Sequence, residues 1–205
     1  MSNETDSPLL NTHSSVLNTH SSVLNTIIMK YPITIFIALI FTASAFAQKG
    51  ANPIIKNFGT IYEIPNAVNP DENIEYKIVV DLKTLQRDKE SINPGLNNVA
   101  RMINLHGLGG VKAKNLKIAV GIHGGATDVV LNNETYRSKY ELDNPNLKLI
   151  NELKEAGVEL YVCGQSLLSR NYEQEQVNKQ IRIGLSMLTV VTTYMHKGYH
   201  QMVFN

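Results

Sequence analysis

Leu116-Lys-Ile-Ala-Val-Gly-Ile-His123, followed at once by Gly124-Gly125, is the stretch on which the fold of this chain turns. The run is too continuously apolar and β-branched for a half-exposed strand and too short for a buried helix. It reads as a strand covered on both faces, the pattern of a parallel sheet. Tyr76–Leu82 (YKIVVDL) and Val158–Cys163 (VELYVC) have the same character.

Helical patterns fill the intervals. Asn93-Pro94 opens one whose apolar stripe is Leu96, Val99, Ala100 and Ile103, with Gly107 as its stop. Residues 128–133 suit a short helix. Asn144-Pro145 opens another, with Leu147, Ile150, Leu153 and Ala156 on one face and Gly157 at its end. Further on, residues 181–185 suit a short fourth strand. Residues 187–197 suit a helix ended by Gly198, and residues 199–204 a fifth strand. Strands alternating with helices predict parallel βαβ units, hence a three-layer α/β/α sandwich on a mainly parallel five-stranded sheet spanning 76–205. Residues 48–75, rich in Asn-Pro and Ile-Pro pairs, predict an extended arm lying on the domain and pairing at a sheet edge.

Upstream the character changes. Leu10–Val16 (LNTHSSV) recurs unchanged as Leu17–Val23, a polar duplication with no apolar face to bury, so residues 1–28 predict disorder or translated upstream DNA. Met29-Lys30, the apolar run Ile33–Phe46 and Ala45-Phe46-Ala47 match the n-region, h-region and cleavage site of a secretory signal. Cleavage after Ala47 predicts a periplasmic or secreted domain beginning at Gln48, with no membrane span left after processing.

Composition narrows the partners. Nineteen basic residues against 18 acidic ones leave a formal net charge of +1, which gives neither nucleic acid nor an anionic membrane an electrostatic handle. Tryptophan is absent and aromatics make up 7%, too few for a base-stacking platform. The single cysteine excludes an internal disulfide. Without a second Cys no metal site is expected, and without G-x-G-x-x-G or G-x-x-x-x-G-K-[ST] no nucleotide cofactor is expected.

In parallel sheets ligands gather at the carboxyl ends of the strands. Asp81, His123 with Gly124 and Gly125, and Cys163 with Gly164, Gln165 and Ser166 all fall there. Two readings of Cys163 stand side by side. It is a small buried hydrophobe, or a thiolate favoured by the amides of the Gly164-Gln165-Ser166 turn and by Arg170, the nearest cation in sequence. His123 is a candidate partner for the thiol if their strands are neighbours; otherwise it caps its own strand.

Three segments carry a family resemblance. VELYVCGQSLLSRNY (158–172) resembles the cysteine-bearing strand and loop of the DsrE/DsrF-like family of sulfur-relay proteins. KIAVGIHGGATDVVL (117–131) resembles its second strand and His-Gly loop, and LTVVTTYMHKGYHQMVF (188–204) its last helix and closing strand. The resemblance implies the parallel five-stranded fold, trimeric or hexameric assembly, a sulfur donor or acceptor protein as partner, and Cys163 as a persulfide carrier. A signal peptide departs from the cytoplasmic members and separates this chain from their relay partners. Three functions fit: an exported sulfur carrier, a non-catalytic oligomeric binding module, and a thiol hydrolase or transferase using Cys163 and His123. The third lacks an evident acid partner for the histidine.

Overall fold

The computed structural model describes residues 49–205, so the signal-like segment and the LNTHSSV copies lie outside the described residues. The elements are β1 (Tyr76–Leu82), α1 (Pro94–Leu108), β2 (Leu116–Ile122), α2 (Asn133–Tyr140), α3 (Leu147–Glu155), β3 (Glu159–Cys163), α4 (Gly164–Leu168), β4 (Arg182–Gly184), α5 (Met187–His196) and β5 (His200–Phe204). All five strands are parallel, in the order β4-β3-β2-β1-β5. Crossover helices explain both the parallel pairing and the continuous apolar strands.

Side-chain alternation divides the sheet into two faces. Ile78, Val80 and Leu82 of β1, with Ile118, Val120 and Ile122 of β2 and Leu160 and Val162 of β3, face the larger core, shared with α1 and α3. The predicted stripe of α1 is all buried there, and Asn93 caps the helix by accepting from the Leu96 amide at 2.9 Å. Val79, Ala119 and Cys163 face the opposite way, into a smaller core supplied by Met187, Val190, Val191 and Tyr194 of α5.

Two glycines let α5 sit low on that face. A Cβ on Gly121 of β2 would stand 1.8 Å from Met187 Sδ, and one on Gly184 of β4 would stand 2.4 Å from Val190 Cγ2. Gly184 is paired in register with Cys163. The first turn of α5 is thus seated next to the cysteine.

Two expectations are corrected. The short helix expected over 128–133 is a 3-10 turn, Gly124–Val130, followed by a separate helix, α2. α2 escapes the apolar pattern because Tyr136 is its only buried residue; the Asn132 side chain, accepting from the Thr135 amide at 2.8 Å, starts it instead. The arm does not extend a sheet edge. It closes on itself through an antiparallel bridge, Ala51 with Ile61, and lies against α1. Asn104 of α1 holds it there, accepting from the amides of Ile54 and Ile55 and donating to the carbonyls of Ile55, Phe58 and Gly59.

Candidate functional site at the carboxyl edge of the sheet

Cys163 is the last residue of β3 and the residue preceding α4, as its place in the sequence predicted. Its side chain is not on the surface: it is 5% exposed, beneath the first turn of α5. The Met187 amide, first in α5, donates to Sγ at 3.3 Å. The Ser166 hydroxyl and the amides of Ser166 and Gln165 in α4 add weaker donors. Burial works to raise the thiol pKa. Donors converging from the starts of two helices outweigh it and hold the thiol below the ordinary cysteine value.

Arg170 takes no part in this, contrary to expectation. Its guanidinium donates to the Gly124 carbonyl at 2.6 Å and to the Ser166 carbonyl at 3.3 Å, so it ties α4 to the loop after β2. Gly124 takes a left-handed φ of +53°, which bends the chain after His123 and turns that carbonyl toward the arginine. A Cβ on Gly125 would lie 3.0 Å from the Leu85 backbone, so the loop passes close to the segment after β1.

His123 does not pair with Cys163 as expected, although β2 and β3 are adjacent. Its Nε2 lies 2.5 Å from Asp81 Oδ1, and Asp81 Oδ2 takes a further bond from Gln201 on β5 at 3.5 Å. Asp81 is therefore the acid partner that inspection of the sequence did not supply. Alternation places Asp81 on the face of Val79, His123 on the face of Ala119 and Gly121, and both on the face of Cys163. Three side chains that can handle protons or sulfur thus share one face and one edge of the sheet.

A second polar cluster fixes the surrounding loops, and it carried no signal in the sequence. Asp128 of the 3-10 turn accepts from the hydroxyls of Tyr140 and Tyr172, the latter at 2.8 Å, and from Lys139 Nζ at 3.3 Å. Lys139 also donates to the Tyr172 hydroxyl and lies 4.8 Å from the centroid of its ring. Burial opposes ionisation of Asp128, but these donors prevail and hold its carboxyl below the usual range. Because Tyr172 follows α4, the cluster fastens the segment after Cys163 to the turn after His123.

The depressed thiol makes a pH-dependent result. Alkylation of Cys163 by iodoacetamide, normalised to its alkaline plateau, is expected to show a midpoint below that of an unperturbed cysteine thiol in a short peptide run alongside. A lowered acid pKa leaves more thiolate at each pH beneath the ordinary value. Ser166→Ala removes a donor and moves the midpoint upward. A wild-type midpoint at or above the free-thiol value would contradict the electrostatics of the site.

The DsrE/DsrF-like family matches residues 77–204, from β1 to the penultimate residue, and the chain belongs to that family, which is associated with sulfur relay. Two solved structures are similar to it. A protein of unknown function, MTH1491, from Methanobacterium thermoautotrophicum is 13% identical with a TM-score of 0.46, covering 63% of this chain and 99% of its own. The ychN protein from E. coli is 16% identical with a TM-score of 0.47, again covering 63% of this chain and 99% of its own. No curated protein matches the chain.

Proposed function

We propose that this protein accepts a sulfane sulfur on Cys163 as a persulfide and passes it to an acceptor thiol, outside the cytoplasm. The observation that carries the reading is the convergence of amide and hydroxyl donors on a lone cysteine at the carboxyl edge of the sheet. Donors that favour a thiolate also favour the sulfur anion left when the outer sulfur departs. The family supports sulfur relay in general, and the segment resembling a signal peptide supports export.

A second reading, an assembly module of the same fold, draws on surface rather than chemistry. Leu185 and Leu188 are exposed on either side of Ser186, where β4 passes into α5, and Leu168 is exposed at the end of α4. Apolar side chains clustered beside the site suit contact with another subunit, and a trimer or hexamer would cover them.

The two readings separate in one experiment. Incubation with polysulfide is expected to add about 32 Da per sulfur to the wild type by intact mass, and nothing to Cys163→Ser. Equal adducts on both proteins, or none on the wild type, would leave the assembly module as the better account.

A further inference from the structure

We propose that His123, oriented by Asp81, is the base that takes the proton from the acceptor thiol when sulfur leaves Cys163. This rests on the sulfur-carrier reading and gives its site a proton path. In the neutral imidazole, a carboxylate at Oδ1 selects the tautomer in which Nε2 carries the hydrogen and Nδ1 is the unprotonated nitrogen. Asp81 is thus a positioning residue, fixing the tautomer and ring plane of His123. His123 and Cys163 occupy one face of adjacent strands without bonding to each other, an arrangement suited to a substrate atom standing between them.

The step balances without a redox partner. His123 Nδ1 takes the proton of an acceptor R–SH, and the thiolate attacks the outer sulfur of Cys163 Sγ–SH. A new S–S bond gives R–S–SH while the old one breaks, its electron pair returning to Sγ. Cys163 is left as the thiolate held by the Met187, Ser166 and Gln165 donors, and His123 as an imidazolium held by Asp81. The oxidation state of the transferred sulfur does not change.

The charged surroundings are few. β1 supplies Asp81, with Lys83 beyond its end and its Cβ facing Gly124; the α4 side supplies Arg170 on the Gly124 carbonyl; β3 supplies Cys163. β5 offers only the neutral Gln201 amide to Asp81, and the first turn of α5 has no ionisable side chain.

The test loads the protein with polysulfide, removes the excess, and follows loss of the added mass to 2-mercaptoethanol from about pH 6.5 to about pH 10. His123→Gln is expected to slow discharge about 100-fold near neutrality, the scale of a lost general base. Asp81→Asn slows it as well, and the double variant is no slower than His123→Gln alone, because the two act as one unit. The ratio of wild-type to variant rates shrinks toward one at alkaline pH, where the acceptor is already ionised and needs no base. A merely structural role predicts a ratio that is constant with pH, together with changed alkylation of Cys163. Loading by the wild type with unaltered discharge in His123→Gln, or strictly additive losses, would overturn this assignment and leave sulfur carriage intact. A wild type that never loads would overturn both.

Discussion

Gly121→Val is expected to destabilise the domain by about 3 kcal/mol and to release the thiol from its helix cap. Gly121 lies in a central strand on the α5 face, where even a Cβ would stand 1.8 Å from Met187 Sδ and 2.8 Å from Met187 Cε. A single methyl, as in Gly121→Ala, meets only the flexible end of the methionine, which swings aside at a smaller cost. Valine adds two γ carbons that no thioether rotation clears, so the first turn of α5 must lift from the sheet. The Met187 amide then leaves Sγ, removing the strongest of the donors that depress the thiol pKa. Two readouts should move together: a fall in Tm of roughly 10 °C for a domain of this size, and an upward shift in the pH midpoint of Cys163 alkylation. Replacing Met187 with alanine in the same chain should recover part of the stability, since that side chain is the obstacle. A Gly121→Val protein with unchanged Tm and unchanged thiol midpoint would show that α5 is not seated as described.

Asn104→Leu is expected to cost about 4 kcal/mol and to free the arm. The side chain is fully buried and makes five hydrogen bonds to the backbone of residues 54–59. Leucine matches the volume but leaves the Ile54 and Ile55 amides and the Ile55 and Gly59 carbonyls without partners, Phe58 keeping only Asn52, a larger penalty than keeping the arm docked is worth. Gly59 shows how close the docking is: at φ +64°, a Cβ there would fall 2.4 Å from the Arg101 amide nitrogen. Its own amide donates to Asn97, two turns before Asn104 on α1. The variant should show new protease cleavage within residues 52–60 and a lower denaturant midpoint. Asn104→Asp, which keeps the acceptor and loses the donors, should fall between it and the wild type. Protection of that segment in Asn104→Leu equal to wild type would refute the anchoring role.

These variants mark where a linear reading stops. The apolar stripe of α1 was legible because Leu96, Val99, Ala100 and Ile103 recur at helical spacing. The polar seam of Asn97 and Asn104 on the same helix was not, because nothing in one helix says that a loop some fifty residues earlier will bring its amides there. Likewise Asp128, Lys139, Tyr140 and Tyr172 are ordinary surface residues until two loops close on each other. Gly121 and Gly184 pass without remark inside their strand patterns, and only the seat of α5 explains them.

By itself the sequence determined the alternation of buried strands and helices, and hence a parallel sheet whose carboxyl ends include Asp81, His123 and Cys163. Periodicity is a local property, and local residues encode it. Tertiary structure alone decided what those three residues do to one another. Strand order placed β2 between β1 and β3, and the Asp81 carboxylate claimed His123 before the thiol did. The docking of α5 buried Cys163 and aimed an amide at its sulfur. Each of these depends on the separation of groups far apart in the chain, which hydrogen-bond directionality and close packing settle only once the sheet has formed.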